Sequence, residues 1–128
     1  MDAQGLRERT LDFGSRVIRL CQHLGHHNVA AVLGKQLLRC GTSVGANYRA
    51  ASLAKSTADF ISKIKICEEE ADEAIYWLEL LIRSGEVDST RLKPLQDEAV
   101  ELRNIMSASA ITARKNLKQE KHNFTNGQ

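Results

Sequence analysis

Proline, aromatic residues and long apolar runs are scarce in this 128-residue chain, and each scarcity excludes a class of structure. A single proline and only eight glycines leave long segments without a helix breaker. No apolar run approaches the ~20 residues of a transmembrane helix, and the amino terminus lacks the apolar stretch of a secretory signal. We therefore expect a single cytoplasmic domain over residues 1–128, with no membrane partner.

Cysteine and histidine are too few and too scattered to predict a disulfide framework or a metal site. Cys21, Cys40 and Cys67 form no C-x-x-C pair and lie in apolar segments, which is typical of reduced structural thiols. No glutamate of the acidic run 68–73 precedes a histidine by three positions, the spacing of di-iron bundle sites. Three histidines within residues 23–27 lack a nearby carboxylate pattern, so we expect neither a metal nor a cofactor.

Apolar residues recur every three or four positions in four segments, which is the spacing of amphipathic helices. No segment alternates with period two, so the sequence predicts an all-α fold. The segments are separated by short polar stretches near residues 25–28, 55–57 and 84–89, and short connections make consecutive helices antiparallel. The predicted fold is an up-down-up-down antiparallel four-helix bundle. Its helices span about 5–24, 28–54, 57–84 and 89–118, and the tail 119–128 is expected to fray.

The segment RCGTSVGANYRAAS, residues 39–52, contains the G-x-S-x-G motif that carries the nucleophilic serine in many hydrolases. In those enzymes the motif joins a strand to a helix, whereas the preceding AAVLGKQLL has helical spacing. Gly41 and Gly45 instead share one helix face, and such a pair favours the close approach of another helix. We therefore expect Ser43 to have no catalytic role and the protein not to be an enzyme.

Glu68 interrupts the apolar series of the third helix, and a carboxylate on a core stripe needs a partner. Folding the second and third helices about their short loop brings Glu68 within a turn of Ser43 and Asn47, which share a helix face. The sequence therefore predicts a polar layer of Ser43, Asn47 and Glu68, joined by Arg39 or Arg49. Such a layer fixes helix register or subunit contacts; catalysis is the alternative.

The net charge is only +2, but it is unevenly distributed. The balance is +6 over residues 1–65, −7 over 66–110 and +3 over 111–128. Alternating helix directions collect basic side chains at one end, which we call the basic pole, while Glu98 and Glu101 fall at the opposite end. A basic pole can bind phosphates, and with few aromatic residues such binding depends on charge and salt. The predicted nucleic-acid contacts are Arg7, Arg9, Arg49, Lys55, Lys63, Lys65, Arg114, Lys115, Lys118 and Lys121.

Three strings of the sequence resemble a known family: LGKQLLRCGTSVGANYRAA, DFISKIKICEEEADEAIYWLELL and AITARKN. They are similar to the small bacterial four-helix-bundle proteins encoded in intervening sequences of 23S rRNA genes, over residues 10 to 116. That family is also similar to the accessory protein of diversity-generating retroelements. The resemblance implies a ring-like homopentamer without enzymatic activity, nucleic-acid binding, and, from the retroelement relative, a reverse transcriptase partner.

Two hypotheses about function remain open at this point. In the first, the protein binds RNA or DNA through its basic pole. In the second, it is a protein–protein interaction scaffold or a reverse transcriptase accessory subunit that does not contact nucleic acid. Apolar residues outside the main core stripes support self-association in either case; they are Ile18, Leu38, Trp77 and Leu81.

Overall fold

Each helix of this computed structural model, which describes residues 1–127, begins at a polar side chain that caps its first turn. Asp2, Asn28, Ser56 and Asp88 each accept a hydrogen bond from a backbone N–H of the helix that follows, which satisfies a donor without an intrahelical partner. No strand occurs within residues 1–127, so the all-α prediction is confirmed. The helices are α1 (Ala3–Gln22), α2 (Val29–Ser52), α3 (Thr57–Arg83) and α4 (Ser89–Thr125).

Glycines in the left-handed conformation follow the ends of α3 and α4. Gly85 has a φ of 77° and Gly127 a φ of 75°, values that only glycine adopts without strain. The last helix, α4, continues to Thr125. The expectation that it ends near residue 118 and frays is therefore wrong for the residues that the structure describes. The reason is that no glycine or proline lies between Pro94 and Gly127. Gln128 lies outside the described residues.

Consecutive helices run antiparallel, which confirms the predicted up-down-up-down bundle. Along α1 and α2, Cys21 lies beside Gly34, whereas Thr10, earlier in α1, lies beside Gly45, later in α2. Extensive contacts join α1 to α2, α2 to α3 and α3 to α4, while α1 touches α4 only lightly. The first helix is thus attached to the bundle mainly through α2.

The core seam of α3 is a strict heptad series that bypasses Glu68. Its buried residues are separated by three and four positions in turn, as in coiled-coil packing. Cys67 takes the core position next to Glu68, and burial raises the pKa of the Cys67 thiol to about 12 and that of Cys40 to about 11. All three cysteines are free thiols, as predicted. The seam consists of Ile64, Cys67, Ala71, Ala74, Leu78 and Leu81.

Candidate nucleic-acid interface

The basic pole is the end of the bundle where α1 and α3 begin and α2 ends, and α4 extends beyond it. The 37 residues of α4 span about 55 Å, whereas the 20 residues of α1 span about 30 Å. Ala3, at the start of α1, shares a cavity with Ile105 and Ser109 of α4. The turns of α4 beyond Ala113 therefore continue past the start of α1 and run beside the first turn of α3, where Thr57 bonds to Glu120. We call residues 114–121 the projecting part of α4.

Four cations occupy this projecting part of α4. Arg114, Lys115, Lys118 and Lys121 are all exposed, and no salt bridge joins any of them to an acidic residue within 1–127. The acidic residue among them, Glu120, accepts a hydrogen bond of 3.1 Å from the hydroxyl of the first residue of α3. The four cations are thus available to an external anion.

Arg9 differs from this group because it is engaged with α4. Its Nε and Nη2 donate to the two carboxylate oxygens of Glu98 at 2.8 and 2.7 Å, and Nη2 also lies 3.0 Å from Glu101. The hydrogen bond to Glu98 is the main reason that the pKa of Arg9 is raised. The prediction that Glu98 and Glu101 lie at the end opposite Arg9 is wrong, because the short α1 lies beside the middle of the longer α4.

Of the other five predicted contacts, two have side-chain partners nearby and three do not. Lys63 pairs with Asp59 one turn earlier, and this hydrogen bond is the main reason that the pKa of Asp59 is lowered. Arg7 donates to the amide oxygen of Gln4, which leaves its charge without a carboxylate partner. Three more cations form no salt bridge within residues 1–127: Arg49, Lys55 and Lys65.

The predicted polar layer of Ser43, Asn47 and Glu68 does not form. The Ser43 hydroxyl donates to the carbonyl of Arg39 at 2.7 Å, and the Asn47 amide donates to the carbonyl of Ser43 at 2.8 Å, so both remain within α2. Glu68 is only half-buried and makes no hydrogen bond among residues 1–127. Arg39 pairs instead with two other glutamates of α3, and Arg49 forms no salt bridge in the described chain. Because Glu68 lies outside the core seam, no buried partner is needed.

Gly41 and Gly45 lie where α1 approaches α2 most closely. A Cβ on Gly41 would lie 2.9 Å from a methyl carbon of Val17, and one on Gly45 would lie 3.2 Å from the carbonyl oxygen of Thr10. Real Cβ atoms rarely come so close to neighbouring atoms. The G-x-S-x-G string is therefore a helix-packing feature within one chain.

A cavity of about 830 Å³ opens at the basic pole, between the ends of the four helices, and we call it the end cavity. Its apolar wall includes Tyr48, Phe60 and Ile105, while Lys55 and Asn116 are among its polar lining residues. Tyr48 is only 5% exposed, and its burial raises the pKa of its hydroxyl. The end cavity thus brings an apolar wall and a largely buried phenol next to the pole.

Comparison with known families agrees with the fold. Residues 6–108 match the model of the 23S rRNA-intervening sequence protein family. The chain belongs to this family. It is also similar to a crystal structure of a protein with unknown function from the S23 ribosomal protein family of Bacteroides thetaiotaomicron. The two share 36% sequence identity with a TM-score of 0.77, over 82% of this chain and 97% of the other. No curated protein matches.

The match to the 23S rRNA-intervening sequence family does not include the four cations on the projecting part of α4. The family match ends at residue 108, whereas the first of these cations is Arg114. Within residues 1–127, no helix is both long and apolar enough to span a membrane. The same residues contain no group of three or more His, Cys, Asp or Glu side chains arranged to hold a metal ion.

Sequence reasoning misses the two most specific features of this family member. The Arg9–Glu98 pair joins residues 89 positions apart, and the charge pattern predicts them at opposite ends of the molecule. Helical spacing predicts Tyr48 on a core stripe, but the cavity beside its ring depends on how four helix ends meet. Neither feature has a signal in the sequence: Arg9 is flanked by Glu8 and Thr10, and Glu98 follows Asp97, so nothing distinguishes them from solvated surface charges.

Proposed function

We propose that this protein is a non-enzymatic cytoplasmic homo-oligomer that binds RNA or DNA through its basic pole. The observation that carries the proposal is the set of exposed cations without salt bridges on the projecting part of α4. Each can approach a phosphate without breaking an existing ion pair. Lys55, which follows α2 and lines the end cavity together with residues of α4, extends the same positive surface. Repetition of this surface around an oligomer multiplies the charge presented to one nucleic acid.

Binding of this kind depends on counterion release, so its salt dependence tests it. In a fluorescence-polarisation titration of RNA and DNA over a salt series, we expect Arg114→Glu with Lys118→Glu to weaken binding at least tenfold. The slope of log K against log salt should fall by about 1.4 for a single strand and about 1.8 for a duplex, because two phosphate contacts are lost.

A matched control separates local contacts from total charge. Arg83→Glu with Arg91→Glu makes the same change in net charge at the far end of the bundle, where both side chains are exposed. This control should leave the salt slope unchanged. An equal loss of affinity in both double variants, or no binding by the wild type at low salt, contradicts the proposal.

Self-association is proposed to use the outer groove between α1 and α2. The groove has a volume of about 910 Å³ and is lined by Leu11, Ile18, Gly45 and Ala46, among others. Leu11 is 67% exposed in the single chain, which is costly for a large apolar side chain that has no partner. The proposed occupant is a different surface of the next copy, because a ring is built from head-to-tail contacts, and the family resemblance implies five copies in that ring.

Light scattering coupled to size-exclusion chromatography measures this directly. We expect the wild type to elute with the mass of a homopentamer and Leu11→Asp to dissociate, because an aspartate in the groove is buried without a partner. Val32→Asp is the control, since Val32 is 63% exposed on α2 outside the groove. A monomeric wild type, or equal dissociation of both variants, contradicts the groove interface.

The second candidate function is a protein–protein scaffold, in which the basic pole docks a partner protein such as a reverse transcriptase. The exposed Leu11 and the groove favour it as much as they favour self-association. A stable oligomer that binds neither RNA nor DNA at low salt would support the scaffold over the nucleic-acid binder.

A further inference from the structure

The end cavity contains a polar group that the fold itself does not use. The Tyr48 hydroxyl makes no hydrogen bond to any residue within 1–127, although the side chain is 95% buried. No side-chain nitrogen or oxygen in the described chain is both fully enclosed and unpaired, so the hydroxyl oxygen of Tyr48 is itself accessible although most of the side chain is buried. Tyr48 lines the end cavity, so its hydroxyl is open to a ligand there.

The wall around this hydroxyl suits a flat, largely apolar group. Phe60 and Ile105 line the cavity on α3 and α4, and Asn116 adds an amide that can both donate and accept hydrogen bonds. Lys55 and the amino-terminal end of α3 lie at the same opening. A phosphate fits the apolar wall poorly. Lys55 offers it a positive charge at the rim, where the carboxylate of Glu120, which also lines the cavity, is bonded to the hydroxyl of Thr57.

We propose that the end cavity receives one unpaired base of a single-stranded nucleic acid, an inference that rests on the nucleic-acid binding proposed above. The faces of the base pack against apolar side chains, and its edge bonds to the Tyr48 hydroxyl and Asn116. The attached phosphates then lie beside Lys55 and the projecting part of α4. A base in a duplex is stacked and paired, so it cannot enter, and the cavity therefore selects single strands.

The experiment compares a labelled, unstructured RNA of about twelve nucleotides with the same strand annealed to its complement. Charge alone favours the duplex, because its phosphate density is higher. We expect the wild type to bind the single strand about tenfold more tightly than the duplex. Ala108→Phe, at an exposed position that lines the cavity, should remove this preference by filling the space and leave duplex binding unchanged.

Two further variants control for folding and for the hydroxyl itself. Ala58→Phe makes the same substitution at an exposed position of α3 outside the cavity and should keep the preference. Tyr48→Phe removes only the unpaired hydroxyl, so the fold loses no bond, and single-strand binding should weaken about fivefold. Circular dichroism of each variant verifies that it is folded.

The outcomes separate this inference from the proposal on which it rests. Equal binding of both RNAs, unaffected by Ala108→Phe, overturns the base site while nucleic-acid binding stands. No binding of either RNA at low salt overturns both. The four nucleoside monophosphates distinguish a free nucleotide from a base within a strand. If any of them binds as tightly as the twelve-nucleotide strand, the cavity is a mononucleotide site and the strand proposal is wrong.

Discussion

Replacing Gly41 and Gly14 by alanine should change the free energy of unfolding in opposite directions, although both glycines are buried where α1 meets α2. An alanine Cβ at position 41 would lie 2.9 and 3.0 Å from the two methyl carbons of Val17, which is fully buried and cannot move aside. Overpacking of this kind costs about 1–3 kcal/mol, against about 1 kcal/mol gained from helix propensity. We expect Gly41→Ala to lower the free energy of unfolding by about 1–2 kcal/mol in urea denaturation.

Gly14→Ala is the matched control within the same helix interface. Its Cβ would lie 3.8 Å from the Cα of Thr42 and 3.9 Å from the carbonyl oxygen of Gly41, which are ordinary contacts. Only the gain in helix propensity remains, so the variant should be more stable by up to about 1 kcal/mol. A loss of stability in both variants would show that the helices are closely packed along their whole contact, contrary to the structure.

Combining Gly41→Ala with Val17→Ala tests whether the loss of stability comes from the contact between these two positions. Val17→Ala alone removes buried methyl groups and leaves a cavity. In the double variant the new methyl group at position 41 occupies part of that space. We expect the double variant to be more stable than the sum of the single effects by about 1 kcal/mol or more. Strict additivity would contradict the contact between Gly41 and Val17.

The helices and their order are predictable from the sequence because each depends on local information. Apolar spacing identifies a helix, and polar caps such as Ser56 and Asp88 mark its first turn within a residue or two. The end of α4 is not predictable by the same means. Residues after about 117 lose their apolar pattern, but Gln119, Glu120 and Lys121 are good helix formers and no glycine or proline interrupts them before Gly127.

The error over Glu68 shows where periodicity becomes ambiguous. Both Cys67 and Glu68 lie three or four positions from apolar neighbours, so two overlapping series fit the same stretch of α3. Ile64, Cys67 and Ala71 form the buried one. The choice between the series depends on which face α2 and α4 cover, and that is a property of the assembled bundle.

Features that join distant helices are the least predictable. The order of the helices predicts which of their ends meet, but the relative lengths of α1 and α4 decide which charges meet. The end cavity depends on the same offset, since its lining combines Ala3 of α1 with residues 105–120 of α4. Spacing within one helix contains no information about such an offset, so the sequence predicts Arg9 among the free cations.

Glu98→Ala should lower the free energy of unfolding by about 2–3 kcal/mol. This loss is larger than the one expected for Gly41→Ala. The Arg9 side chain is 23% exposed and that of Glu98 12%, and the pair is bidentate. Removing one partner of a buried pair costs about 3–5 kcal/mol, whereas an exposed pair is worth about 0–1 kcal/mol. Partial exposure of Arg9, and its second contact with Glu101, place the expected loss between these limits.

The neighbouring Asp97 provides the control, because it forms an exposed ion pair with Lys93 one turn earlier in the same helix. Asp97→Ala should cost at most about 0.5 kcal/mol. If Glu98→Ala costs no more than this control, solvent screens the Arg9 pair and the pair does not hold α1 against α4. Arg9→Met combined with Glu98→Met should recover most of the loss, because two apolar side chains leave no charge uncompensated. That recovery would show that the pair specifies where α1 lies along α4 more than it stabilises the bundle.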